Sequence, residues 1–205
     1  MSAMRAERRS QAERRDEAEQ RLLAAAVRLV AEQGLERITL ADVGEAAGYS
    51  RGLPAHYFGS KAGLTVALAA HLIDGFGRAL GRTEHHPRGL QRLLGTAAFY
   101  LDSVMKEPTG ARALSVLLGE GRANPLISAR IAALNARSVK GFEVNLRAAV
   151  AAGEIRADVD PKAQAVLILA ALRGTVSQWL LAPEAIDLTA VRDEFVASLK
   201  RSLAR

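Results

Sequence analysis

The sequence contains no cysteine among its 205 residues, and aromatic residues make up only 4% of it. The lack of cysteine excludes disulfides, thiolate nucleophiles and cysteine-ligated metals, and it is compatible with a reducing compartment. The few aromatics stand beside 49% hydrophobic residues, mostly alanine and leucine. That mixture favours helix over sheet and allows a sizeable core.

Long apolar runs are also absent. The longest, residues 163–172, is interrupted by Gln164 and ends at Arg173, so it is too short to span a bilayer. The N-terminus is polar and charged, unlike a signal peptide. These observations predict a cytoplasmic protein without membrane contact.

Negative charge is in deficit, because 28 basic residues outweigh 22 acidic ones and give a formal net charge of +6. This balance suits a polyanionic partner without requiring one. Only the first fifteen residues are clearly basic, with five arginines and two glutamates. We interpret residues 1–15 as a flexible basic arm that either follows DNA or extends the first helix.

Apolar residues at helical spacing fill the remainder of the chain and predict an all-α fold. A stripe over residues 22–30 indicates a first helix that ends at Gly34, a suitable C-cap. No strand-like alternation and no internal repeat occurs. Later helices are predicted near residues 61–80, 88–106, 109–121, 124–152, 161–182 and 188–204.

Between the first and later helices lie two short helices around a tight turn. Thr39 is a predicted N-cap with Asp42 in the first turn, and Gly48 can take the positive φ of a sharp turn. Pro54 is tolerated only in a first turn, so the second helix should begin near Leu53 or Pro54, after a non-helical "SRGL". This is a helix-turn-helix arrangement, whose second helix enters the DNA major groove.

Residues 22–64, with "AAGYSRG", "HYF" and Ser60-Lys61, resemble the DNA-binding unit of TetR-family transcriptional repressors. The resemblance implies a helix-turn-helix domain over residues 16–62 and a helical ligand-binding and dimerisation domain over residues 63–205. It implies a ligand-responsive repressor that binds a palindromic DNA operator as a homodimer. The DNA-binding residues that it implies are Thr39, Ser50, Arg51, Gly52, His56, Tyr57 and Lys61.

Arg51 can read a guanine or contact a phosphate, and the sequence favours neither. Leu40, Ala41 and Ala55 occupy positions that are often polar or aromatic in the family, which leaves fewer side chains to read the groove. They support an alternative function, a helical protein-interaction module without DNA binding.

The C-terminal two thirds carries candidates for the walls of an effector cavity. They predict a largely apolar effector, although apolar residues at helical spacing more often belong to a core. Arg173 could pair with an anionic effector or with a carboxylate on a neighbouring helix. The candidate ligand-binding residues are Phe99, Tyr100, Met105, Phe142, Arg173, Gln178 and Trp179.

The last two helices carry more apolar residues than one core-facing stripe needs, which predicts a homodimer through them. No catalytic or cofactor motif is recognisable, so we predict neither an enzyme nor a cofactor requirement. A metal site formed by His71, Glu84, His85 and His86 is disfavoured, because adjacent histidines on a rigid element do not readily share one ion. A solvated loop explains them better.

Overall fold

The computed structural model describes residues 11–83, 86–120 and 125–205, and these ranges are helical without any strand. The predicted all-α class is therefore confirmed. The helices are α1 (Gln11–Gln33), α2 (Leu40–Ala46), α3 (Leu53–Phe58), α4 (Lys61–Thr83), α5 (Leu90–Lys106), α6 (Pro108–Glu120), α7 (Pro125–Ala151), α8 (Pro161–Leu181) and α9 (Leu188–Leu203).

The first helix is longer than the sequence predicts. Residues 11–15, which we assigned to a flexible arm, form the first turn of α1, because alanine, glutamate and arginine are good helix formers. The guanidinium carbon of Arg15 lies 5.9 Å from the ring centroid of Tyr57, which connects this turn to α3. Residues 1–10 of the predicted arm lie outside the described residues.

Two hydrophobic cores organise the molecule. The first joins α1, α2 and the beginning of α4, and it receives Ala113 and Leu117 from α6. The second joins α5, α7, α8 and α9 around fully buried residues such as Leu146 and Leu172. The helix-turn-helix unit therefore completes its core with a helix from the C-terminal half.

Helix α4 belongs to both halves of the molecule. Leu64 and Leu68 are fully buried in the first core, whereas Phe76 and Leu80 further along the helix line a cavity in the C-terminal half. The domain boundary predicted between residues 62 and 63 falls inside this continuous helix. One helix therefore connects the cavity to the core of the helix-turn-helix unit.

Helix α8 is long and apolar enough to cross a membrane, judged by length and composition alone. Ile168 and Leu172 face the second core, but only 28% of its apolar window is buried within the chain. Val166 and Leu167 on its outer side are 49% and 61% exposed. The excess apolar surface predicted for the last two helices is therefore concentrated on α8.

Candidate DNA-binding surface and effector cavity

Helix α2 begins in a complete capping box. The Asp42 amide donates to Oγ1 of Thr39 at 3.2 Å, and the Thr39 amide donates to the Asp42 carboxylate at 2.8 Å. The hydrogen bonds from Thr39 hold the pKa of Asp42 below its ordinary value. This reciprocal bonding satisfies two amides that would otherwise have no partner and fixes where the helix starts.

The turn between α2 and α3 depends on two glycines. Gly48 has φ +76°, the left-handed conformation predicted for it. Gly44 allows the two helices to cross closely, since a Cβ there would lie 2.5 Å from the Ser50 carbonyl oxygen. Ala46 beside it is exposed, and Ala47 is partly buried against the first core.

Helix α3 starts late, as Pro54 predicts. Gly52 is its N-cap and Pro54 lies within its first turn, where a missing N–H leaves no helical hydrogen bond unmade. Leu53, the last residue of the stretch "SRGL" predicted to be non-helical, is the first helical residue. Residues 50–52 form the non-helical approach, and α3 spans six residues.

Five of the proposed DNA-binding residues are exposed along this unit, namely Thr39, Ser50, Arg51, Gly52 and His56. Arg51 leaves the turn and pairs with Glu45 of α2, with 2.8 Å between Nη1 and the carboxylate. Both side chains are more than half exposed, so the ion pair costs little to break.

Tyr57 and Lys61 are half-buried and already bonded within the protein. The Tyr57 hydroxyl donates to the Arg15 carbonyl at 3.2 Å, which uses its only proton. The Lys61 ammonium donates to the Glu36 carbonyl at 2.8 Å and retains two more protons to donate. Lys61 is therefore better equipped than Tyr57 to contact a phosphate.

A cavity of about 460 Å³ lies between α4, α5, α6, α7 and α8, within the size range of small-molecule sites. Its walls are largely apolar. The ring of Phe76 meets that of Tyr100 edge-on, with centroids 5.4 Å apart. Burial lowers the pKa of His71 and so favours its neutral form.

Three of the seven proposed ligand-binding residues line this cavity: Tyr100, Phe142 and Arg173. Phe99 lines a smaller neighbouring pocket of about 250 Å³. Met105 and Trp179 pack against the second core instead, and Gln178 is exposed on the surface. Neither pocket is lined by these last three residues, because they lie on the wrong faces of α5 and α8.

The wall contributed by α4 was not predicted from the sequence. His71, Leu72, Phe76 and Leu80 lie on it, yet in the sequence the three apolar residues among them read as an ordinary core-facing stripe. No signal in the sequence distinguishes this wall from a core, because the neighbours of α4 change along its length only once the chain has folded.

No group of three residues with metal-binding side chains converges within the parts of the chain that the structure describes. Glu84 and His85, which were weighed as metal ligands, lie outside those parts.

The geometry defines an all-helical protein with an N-terminal helix-turn-helix unit and a cavity-bearing C-terminal part. Residues 22–68 match the model of bacterial regulatory proteins of the tetR family, and residues 122–204 match that of the C-terminal region of MAATS-type transcriptional repressors. The chain belongs to the TetR family of transcriptional regulators.

One curated relative resembles the chain in sequence, and two solved structures resemble it in fold, along most of its length. The chain is 29% identical over 176 residues to the transcriptional regulator TtgR of Pseudomonas putida, which covers 82% of each protein. A solved TetR-family regulator from Rhodococcus sp. superimposes with a TM-score of 0.82 at 22% identity, covering 92% of this chain and all of that one. A regulator from Saccharomonospora viridis, solved in complex with choline, gives 0.82 at 20% identity, covering 93% and 99%.

Proposed function

We propose that the protein is a cytoplasmic, ligand-responsive repressor that binds a palindromic operator as a homodimer and releases it when a small molecule enters the cavity. The observation that carries the proposal is helix α4, whose start packs in the helix-turn-helix core and whose end lines the cavity. The choline complex of the relative from S. viridis supports a small-molecule effector.

DNA binding is assigned to the surface formed by α3 and the two helix starts beside it. Arg51 and His56 are exposed where they can enter the major groove, and Thr39 and Lys61 flank them at helix starts, where phosphates are favoured. Phosphate contacts position the unit, and base contacts select the sequence.

Dimerisation is assigned to the outer face of α8, together with α9. Val166 and Leu167 are adjacent large apolar residues that the single chain leaves exposed to solvent. Exposed apolar patches often mark a protein contact, and a two-fold contact through α8 would bury these side chains. Such a symmetric dimer presents two α3 helices to the two halves of a palindrome. Leu199 of α9 is only 6% exposed in the single chain and belongs to the second core, so it is not part of this outer face.

Coupling between the two sites follows from α4 and α6. Both helices line the cavity, through residues such as Leu72 and Leu114, and both contribute to the first core. A ligand that is bound more tightly in one arrangement of these helices shifts the population toward it. By linkage, the operator must weaken effector binding by the same factor.

Gel mobility shift with DNA from upstream of the protein's own gene tests the proposal. We expect Lys61→Ala to weaken binding to all sequences alike and to reduce the salt slope by about one contact.

We expect Leu167→Glu to give a folded monomer in sedimentation that loses operator affinity, whereas Ala24→Glu, on the exposed face of α1, remains dimeric. A protein that binds no upstream DNA at low salt would instead fit the alternative of a helical protein-interaction module.

A further inference from the structure

The cavity wall contains a positive charge with an incomplete set of partners. Arg173 of α8 is half-buried, and its Nη1 donates to Oδ1 of Asn135 on α7. Its Nε atom is buried without any hydrogen-bond partner. Burial lowers the pKa of Arg173, yet a guanidinium remains charged in proteins.

Within the described parts of the chain, no carboxylate forms an ion pair with Arg173. The groups that influence it are neutral, namely the amide of Asn135 and the hydroxyl of Tyr100. Burial raises the pKa of Tyr100, so that this side chain is a neutral hydrogen-bond donor. Arg137, the other arginine at the cavity, is 65% exposed on its side chain and already paired with Asp74 at 3.1 Å.

A purely structural arginine would be expected to find a carboxylate, because a buried charge with an unmet donor costs stability. The cavity instead combines one cation without an ion-pair partner, a neighbouring hydroxyl donor and a wall of Phe76, Leu134 and Phe142. The carboxylate of Glu107 also lines the cavity, but it is exposed and forms no ion pair with Arg173. The missing component is an acceptor with negative charge, attached to an apolar body.

We propose that the cavity binds an amphipathic monoanion, with its carboxylate on Arg173 and Tyr100 and its apolar part between α4, α5 and α7. The proposal rests on the cavity being the effector site and adds the chemical class of the ligand. The carboxylate would accept from the Arg173 guanidinium and from the Tyr100 hydroxyl. A charge-assisted pair of this kind is stronger than a neutral hydrogen bond.

Calorimetric titration of the full chain without DNA tests the proposal with three probes of matched chain length at pH 8. These are decanoate, decan-1-ol and decyltrimethylammonium. We expect decanoate to bind about 10- to 100-fold more tightly than the alcohol, as a charge-assisted hydrogen bond implies, and the cation to bind most weakly. Equal binding of acid and alcohol, preference for the cation, or no binding of any probe would overturn the proposal.

Two variants locate the carboxylate. Arg173→Met should reduce the preference for acid over alcohol to less than about threefold, while alcohol binding persists, and Tyr100→Phe should reduce it partly. The melting temperature of ligand-free Arg173→Met should equal or exceed that of the parent, because an incompletely satisfied charge has been removed. If Arg137→Met abolishes the preference for the acid and Arg173→Met does not, the carboxylate binds at Arg137 and the proposal is wrong.

This experiment is separate from the test of repressor function, since no DNA is present. Acid-selective binding that leaves an operator complex intact would support the ligand class and refute effector release. Release of the operator by decan-1-ol and decanoate at equal concentrations would support an effector site and refute the preference for an anion.

Discussion

The helix-turn-helix unit is tightly packed, whereas the cavity region leaves internal space and polar atoms without partners. In the first, a capping box and glycines at a close crossing leave little freedom of arrangement, as the crowding around Gly44 shows. In the second, helices enclose about 460 Å³ and leave Nε of Arg173 and Oδ1 of Asn145 without hydrogen-bond partners. We therefore expect the DNA-binding unit to move as a rigid body and the cavity region to have the spare volume for a second arrangement.

Two leucines on α6 test this contrast most strongly. Leu117 is fully buried in the first core, and Leu114 lines the cavity. We expect Leu117→Ala to lower the free energy of unfolding by about 2–5 kcal/mol, because it creates a hole in a filled core. Leu114→Ala should cost about 1 kcal/mol, since it only enlarges an existing space. Denaturant melts followed by circular dichroism measure both, and equal losses would show that the cavity is as tightly packed as the core.

Two glycines test the rigidity of the crossing between α2 and α3. Gly44→Ala should destabilise the protein by about 1–3 kcal/mol and abolish operator binding, because the new methyl group meets the Ser50 carbonyl. Gly77→Ala, in the exposed middle of α4 with no atom within 4 Å of a built Cβ, should stabilise by about 0.5–1 kcal/mol. Thermal melts measure the stability of both variants, and mobility shifts measure their operator affinity. Retained operator affinity in Gly44→Ala would mean that α2 and α3 can move apart without loss of the DNA-binding geometry.

The smallest expected effect concerns the cap of α2. Thr39→Ala should lower the free energy of unfolding by about 1 kcal/mol at neutral pH, whereas Ser115→Ala, on the exposed side of α6, should not. Because the folded pKa of Asp42 is lowered, its contribution is present above the pKa of the unfolded chain and is lost as pH falls through the folded value. The deficit of Thr39→Ala should therefore shrink in acid, and a deficit independent of pH would contradict this account of the cap.

Sequence reasoning succeeded where the physical cause is local. The cap at Thr39, the left-handed turn at Gly48 and the late start imposed by Pro54 depend on residues within a few positions of each other. Such chemistry can be read without knowing the fold. The need for Gly44 could not be read in this way, because its neighbours Ser50 and Pro54 come close only after the turn has formed.

The cavity was harder to predict because a wall and a core have the same apolar periodicity. All three aromatic residues Tyr100, Phe142 and Trp179 pack in or against the second core and read alike in the sequence, but only Tyr100 and Phe142 also line the cavity. Whether an apolar face meets a neighbour or a space depends on how distant helices are arranged. The unpaired donor on Arg173 is a better indicator of a site than any aromatic residue, because cores rarely leave one.

Because α4 is continuous, the direction of its cavity-facing side chains is fixed relative to its DNA-binding end by the number of residues between them. Each residue turns an α-helix by about 100°, so one residue inserted between Leu68 and Phe76 would turn the cavity-facing side chains away from the ligand while the DNA-binding end stays in place. An insertion of seven residues returns the face to within about 20° and lengthens the helix by about 10 Å. A chimera that joins this DNA-binding unit to another effector domain should therefore be aligned by helical angle along α4 rather than by residue count.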